Sequence, residues 1–587
     1  MPTEDRGVAM RGGTVIRCRG IATLSIIAVL ASQPGKALGA EREGRPTTQQ
    51  EQIIELPPVV VMATRGEQPS FDVPSAVTII DHDEIDRQTP SVLLDLLRGE
   101  EGVFVQQTTP GQATPIIRGL IGSSILTLVD GMRLNNAIFR PAPNQYFALV
   151  DPYNVERIEV VREPASTLYG SDAMGGVINV ITPVPQFATQ QWELHGKALE
   201  QVRSADTSWV NRISLQGGRT GFALSGGLTY QDHNNLRAGG DTGLQRPSGY
   251  IVYAGDGTLF LERADQDLLL SFQYLQQPKT PRFDELVPGF GQTHPNSAVF
   301  FFEPNDRLFL HARYRLRNPS PFIDRLEFHV GFQEINDDRR NRDFGSTQEN
   351  RERNRDSLTG ITLQLTSRWR EWMTLTYGGE IYLDEVGSTR LGRDITTGET
   401  TTLRGRFADG SSLNSLASYV QGEVQVHPRL TAILGGRFSY FDTNIPDPDP
   451  SLATHTNTND LTGSLGLVYH LTPMINLVSN VGRGFRVPNV FDLSTLGPRP
   501  GNRFNIPNPD LRPEQVITVD AGVKVNFPRF SGGLFGFYSD FQDKIESVLT
   551  GGNIDGRDVV QSANLNAVTS FGVETAGRFR LLDNLEA

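Results

Sequence analysis

The stretch Phe222-Ala223-Leu224-Ser225-Gly226-Gly227-Leu228-Thr229-Tyr230 decides the fold. Phe222, Leu224, Gly226, Leu228 and Tyr230 form one face, and Ala223, Ser225, Gly227 and Thr229 form the other. A period of two is the signature of a strand, here with one apolar and one small or polar face. Segments of about 9 to 11 residues are what a tilted strand needs to cross a bilayer. The pattern recurs. Met373, Leu375, Tyr377, Ile381 and Leu383 alternate with Thr374, Thr376, Glu380 and Asp384. Ile517, Val519, Ala521, Val523, Val525 and Phe527 alternate with Thr518, Asp520, Lys524 and Asn526, and Phe571, Val573 and Phe579 with Glu574, Arg578 and Arg580. One such segment proves little, because soluble sandwich strands share the period. Their repetition from about residue 190 to the end, with no second helical layer, predicts a transmembrane antiparallel β-barrel.

Composition agrees. The 587 residues have a mean hydropathy of −0.30, which by itself suggests a soluble protein. Beyond the N-terminus no run approaches the ~18 to 20 apolar residues of a membrane-spanning helix. That excludes a helical membrane protein but not a barrel, whose strands are only half apolar. The net charge of −13 argues against nucleic acid as a partner. Short turns such as His427-Pro428-Arg429 contrast with long polar stretches such as 336–356, expected to be a solvated loop that could instead attract a charged ligand. Dividing the chain by typical strand-plus-connection lengths gives about 17 strands.

The N-terminus carries an export signal. Arg6, Arg11, Arg17 and Arg19 precede the apolar run 21–30, and Ala37, Gly39 and Ala40 supply small residues for cleavage, so residues 1–40 are expected to be removed. They contain five basic and two acidic groups, which would leave a charge of −16. The single cysteine, Cys18, would leave too, so no disulfide scaffold or thiolate metal site is expected.

Between the signal and the barrel, residues 59–185 read as a mixed α/β body. A strand is expected at 73–80, and a helix starting at Thr89-Pro90 with Val92, Leu93, Leu96 and Leu97 as its stripe. Further strands fall at 115–118, 125–129, 157–161 and 177–181, and Asp130-Gly131 reads as a hairpin turn before Met132-Arg133-Leu134. Gly170, Gly175 and Gly176 lack the Lys-Ser/Thr of a phosphate loop and are read as sites of tight packing against the barrel wall.

Specific motifs sharpen this. They include Glu55-Leu56-Pro57-Pro58-Val59-Val60-Val61-Met62-Ala63-Thr64-Arg65, Ile117-Arg118-Gly119, Leu128-Val129-Asp130-Gly131 and Val155-Glu156-Arg157-Ile158-Glu159-Val160. With them stand Leu168-Tyr169-Gly170-Ser171-Asp172-Ala173-Met174-Gly175-Gly176-Val177-Ile178-Asn179-Val180, Phe485-Arg486-Val487-Pro488 and Asn508-Pro509-Asp510-Leu511-Arg512-Pro513-Glu514. In order and over nearly the whole mature chain, they resemble the TonB-dependent outer-membrane receptors, the last two looking like the boxes of siderophore and haem receptors.

The resemblance implies a periplasmic extension at 41–62, a plug domain at 63–186 and a barrel at 187–587, in a family whose barrels have about 22 strands. The ending at Leu585-Glu586-Ala587, with no terminal aromatic strand, is read as missing C-terminal strands. Glu55, Leu56, Pro57, Pro58, Val59, Val60 and Val61 would form the TonB box. An extended, Pro-bearing edge segment can add to a partner's sheet by strand pairing, which suits a handle pulled by inner-membrane TonB. Ligand contacts are expected at the plug apex around Arg140, Asn144, Gln145 and Tyr146. The implied function is active uptake of an iron carrier, a ferric siderophore or haem, by a monomer in the outer membrane of a Gram-negative cell. Cobalamin or another nutrient is the alternative, and a passive porin ranks lower, because diffusion needs no plug or handle. Residues 40–53 leave no room for an extra signalling domain. No catalytic motif, cofactor or metal site is expected.

Two departures stand out. Arg162-Glu163-Pro164 replaces the family's Arg-Gly-Pro, and no histidine lies between Pro488 and Asn508, which weakens haem. His233, His294 and His455 are expected in loops, and His195, His311 and His329 in strands.

Overall fold

The computed structural model describes residues 59–60, 65–66, 68–141, 146–499, 501–582 and 585–586. From Glu193 onward the chain builds one 21-stranded sheet in chain order. Five of these strands are short segments of two to five residues, which leaves sixteen long ones, of 11 residues at Glu193–Arg203 to 26 at Arg557–Leu582. Long neighbours pair antiparallel, as in Ser208–Arg219 with Phe222–His233 (Ile213↔Leu228). Among the described residues, Glu193–Arg203 pairs along one edge only.

Burial along Phe222–His233 inverts that of a soluble strand. Leu224 and Leu228 are 54% and 73% exposed, whereas Ala223, Thr229 and Gln231 are buried. Apolar residues face outward on strand after strand, through Ile213, Leu270, Leu363, Ile381, Leu434, Leu465, Val519 and Val573. An apolar surface of that extent needs lipid, not water, around it. All four tryptophans are exposed and sit at its margins. Trp209 packs beside Tyr230, itself beside Tyr253, on the long-loop side. Trp192 packs against Phe222 at the opposite end, where Trp369 and Trp372 flank a short turn. Amphipathic rings at both ends of an apolar band mark the two membrane interfaces.

Residues before Glu193 fill the inside of this sheet. A five-stranded sheet runs Val77–Ile80, Arg157–Val161, Val177–Ile181, Leu126–Val129, Met132–Arg133, and Val177–Ile181 is parallel to Leu126–Val129. A three-stranded sheet comprises Val103–Thr109, Gln112–Ile117 and Leu120–Ile121. Leu93, Leu94, Ile117, Leu134, Ile138 and Phe147 are wholly buried between them. This body meets the wall all round, from Asp151 on Arg212 to Tyr146 on Asp337 and Arg118 on Asp520 and Glu574.

The structure corrects several expectations. Thr89 ends a helix instead of starting one. His82–Gln88 is capped by the Asp81 carboxylate accepting from the Glu84 amide, and Thr89 closes it with φ 46°. Aspartate is a good N-cap, and a proline beyond the C-cap stops the helix. The leucines that follow form a 3₁₀ turn at Leu93–Leu97. The strand expected at 73–80 begins only at Val77. The polar stretch 336–356 is not a loop. Ile323–Asp343 and Gln348–Arg368 stay paired through it, with Arg339 opposite Glu352 and Arg340 bonded to Glu349 at 2.9 and 3.1 Å. Above the membrane the outer face is wet, so the ladder continues while the apolar half of the pattern vanishes. His233 and His455 likewise lie in strands, whereas His294 is in a loop. Of the three glycines, Gly170 meets the barrel, since a Cβ there would lie 2.9 Å from the Arg437 guanidinium. Gly175 and Gly176 instead accommodate Leu120 and the Val161 carbonyl within the inner body.

Candidate functional site

A cavity of about 600 Å³ opens on the long-loop side, between the inner body and the extended hairpins. Its floor is Gly119, Leu120 and Ile121, with Arg140 and Pro141, and its walls come from segments between Arg282 and Ser562. The floor follows directly from Ile117-Arg118-Gly119. Arg118 and Gly119 both take positive φ (50° and 82°), and this turn sends Leu120–Ile121 back against Gln112–Ile117. Positive φ is costly for arginine, so its side-chain contacts matter. Its guanidinium forks onto Glu574 at 3.0 Å twice, reaches Asp520 at 2.7 Å, and lies 4.2 Å over the Phe537 ring. The cavity floor is therefore one residue from a buried ion pair between body and barrel. Such a pair resists loss of either partner, which would leave an uncompensated buried charge.

Two further arginines hold the body. Arg162 bonds Glu101 at 2.9 Å and approaches Glu574 at 3.5 Å. Arg65 is clasped between the rings of Tyr169 (4.5 Å) and Tyr419 (4.3 Å) and pairs with Glu380, which also accepts from Arg437 at 2.7 Å. Glu163, where the family has glycine, takes no left-handed conformation; it is buried and accepts from the Ser75 hydroxyl at 2.5 Å. Burial pushes its carboxyl up to about 7, reinforced by the Asp520 charge. Phe485-Arg486-Val487-Pro488 proves to be a docking segment: the Phe485 and Val487 amides donate to Ser166 and Ser171 hydroxyls at 3.3 and 3.2 Å. Arg486 pairs with Asp492 and Glu514, the first residue of the long strand that follows Asn508-Pro509-Asp510-Leu511-Arg512-Pro513.

Of the expected ligand residues, Arg140 lines the cavity and Tyr146 does not. Tyr146 stands behind the wall, its hydroxyl donating to Asp337 at 3.0 Å. Burial, then the Asp337 charge, pushes that phenol well above its ordinary range. Asp337 is a hub that also receives Arg339 at 2.9 Å and Arg140 at 3.4 Å. Asn144 and Gln145 lie outside the described residues. Val59–Val60 forms a two-residue strand against Gln68–Pro69, while Glu55, Leu56, Pro57, Pro58 and Val61 also lie outside them. Sequence reasoning missed Arg282, Arg406, Arg499, Arg503 and Arg557, all in the cavity wall. Burial pulls the Arg406 guanidinium down to about 10, opposed by Glu352 and helped by Arg140 and Arg390, so it remains charged at neutral pH. A usable signal existed at the tip Arg499-Pro500-Gly501-Asn502-Arg503, two arginines flanking a turn.

A family model described as TonB dependent receptor-like, beta-barrel, matches residues 257–586, and the TonB-dependent Receptor Plug Domain matches 69–177. The Rhizobactin receptor of Rhizobium meliloti (strain 1021) is 23% identical over 513 residues, 76% of this chain, and the chain spans 65% of that protein's length. The Iron-regulated outer membrane virulence protein of Vibrio cholerae serotype O1 is 24% identical over 551 residues, covering 90% of this chain and 76% of that protein. Among solved structures, Copper transporter OprC matches with a TM-score of 0.73 and 16% identity over 88% of this chain and 78% of its own, a likeness of fold alone. With a plug model on the inner body and the barrel model on more than half of its length, this chain belongs to the TonB-dependent receptor family.

Proposed function

We propose that the protein is an outer-membrane receptor that binds an iron carrier, a ferric siderophore or haem, in the cavity above the plug and imports it when TonB displaces the plug. The carrying observation is that the cavity floor belongs to the plug and its walls to the barrel, so the ligand touches both parts that must separate. The plug's anchors, Arg65, Arg118 and Arg162, are discrete ion pairs on the barrel wall, which can break and re-form without unfolding either part. Iron as cargo draws on the relatives, one of which is named as iron-regulated. Glu55–Val61 acts as the handle by strand addition to TonB, and the chain works as a monomer after its signal is cleaved.

Two experiments test this reading. Growth of a receptor-deficient, iron-starved strain should be rescued by a single iron carrier only when TonB is present; rescue without TonB would indicate a passive pore. Val60→Pro should abolish uptake while leaving ligand binding intact, because proline removes a strand donor. Retained uptake in that variant would remove the handle assignment.

A further inference from the structure

The cavity's cations are not alike. Arg339 and Arg140 share Asp337, Arg282 is forked onto Asp284 at 2.8 and 3.0 Å, Arg557 pairs with Asp343, and Lys544 with Glu546. Arg499 and Arg503 differ. Among the described residues neither has a carboxylate partner; Arg499 donates to the Ser547 hydroxyl at 2.7 Å and Arg503 makes no ion pair. Asp558, opposite Arg503 on the neighbouring parallel strand, forms no ion pair with it.

The two arginines are held facing each other. They are direct partners at the end of the hairpin formed by Gly497–Arg499 and Arg503–Ile506. Like charges directly opposite on paired strands are destabilising. Just before Arg503, Gly501 and Asn502 take φ 81° and 57°, and the Asn502 side-chain amide donates to the Gly556 carbonyl at 3.0 Å. Burial lowers the pKa of half-buried Arg499, and the nearby charges of Arg503 and Arg282 lower it further. Among the described residues, this repulsive pair borders a 600 Å³ cavity with no carboxylate within ion-pair distance of either guanidinium.

We infer that Arg499 and Arg503 form a clamp for an anionic ligand, so that the carrier accepted here bears at least two negatively charged oxygen groups, carboxylate or catecholate, presented to the hairpin. A guanidinium pair matches such oxygens through forked hydrogen bonds, which a neutral chelate cannot offer. This rests on the ligand cavity proposed above and adds a selection rule to it.

The test is equilibrium binding to the purified full chain in detergent, with radioiron in three probes: ferric citrate, a ferric tris-catecholate and a neutral ferric trihydroxamate. The clamp predicts that at least one anionic chelate binds, that the neutral one binds at least tenfold more weakly, and that the preference shrinks as KCl rises. Arg499→Gln with Arg503→Gln should cut affinity for the anionic chelate at least tenfold without lowering the thermal midpoint, since it removes a repulsive cross-strand pair. Arg503→Glu should cut it further. Binding that favours the neutral chelate, absence of binding by both anionic probes, or a double glutamine variant as tight as wild type would each overturn the clamp. Iron-free citrate binding as tightly as ferric citrate would retain the clamp but overturn iron as cargo. A TonB-independent uptake result would overturn the import reading and leave the clamp standing.

Discussion

At the level of single residues, the interior is organised by charges that the plug and barrel share. Glu380 sits between Arg65 and Arg437; Glu380 and Arg437 are buried and Arg65 is partly buried. Glu380→Ala would strand two guanidinium groups and is expected to destabilise the protein by about 3–5 kcal/mol. A lowered thermal midpoint, with Glu380→Gln intermediate, would be the sign of it. Glu163 has the opposite character. Its carboxyl is raised to about 7, so in the folded state it holds a proton that the unfolded chain has already released above its ordinary range. Its contribution to stability is therefore full at low pH and falls as pH rises toward 7. The groups around it are Ser75, Asp520, Arg118 and Lys524, and protonation lets it remain buried beside Asp520. Glu163→Gln should raise stability by about 3 kcal/mol at pH 8 and leave it unchanged at pH 4. Thermal unfolding at the two pH values measures this, and an equal effect at both would remove the titration account.

At the level of elements, local signals competed, and the stronger cap won. Asp81 satisfies the start of His82–Gln88, leaving Thr89 to end it in the left-handed region. A glycine adopts that conformation without a Cβ penalty. Thr89→Gly should therefore stabilise the helix by about 0.5–1 kcal/mol, seen as slower amide exchange over 82–88. A destabilised helix in that variant would mean the threonine side chain has a role the cap geometry does not show. In the barrel, the hairpin of Ile323–Asp343 and Gln348–Arg368 extends past the apolar band on backbone pairing and ion pairs such as Arg340–Glu349. Its turn residue Phe344 and the side chains of Arg339 and Asn341 reach the cavity. The charge run that reads as solvent-facing is thus partly a cavity wall.

At the level of the whole molecule, the outward band identifies the solvent. Leu228 is 73% exposed between the rows marked by Trp209 and Phe222, while its neighbour Thr229 is buried against Arg212 at 2.9 Å. Leu228→Arg should cost about 2–4 kcal/mol in reversible unfolding from a lipid bilayer, and Leu228→Ala much less. An arginine tolerated there would place the membrane elsewhere on the surface. The same distribution explains how a chain of mean hydropathy −0.30 spans a membrane: its polar residues face the plug.

The sequence alone determined what depends on neighbours along the chain. Alternation of period two marked the barrel strands, and the bounds of Arg157–Val161 and Val177–Ile181 followed from their apolar runs. The Asp130-Gly131 hairpin was equally legible, with Val129 opposite Met132. The motif order identified the family. Tertiary structure alone decided the rest. Gly119, Arg282, Arg406, Arg503 and Arg557 meet around one cavity only because the sheet curls around the plug, and nothing in their spacing records that. Which cations are neutralised was also settled in space. Arg339 finds Asp337 two residues away, but Arg557 finds Asp343 across the barrel, and Arg499 finds another arginine. Local periodicity follows from backbone geometry, whereas electrostatic pairing depends on which distant strands the closing sheet brings together.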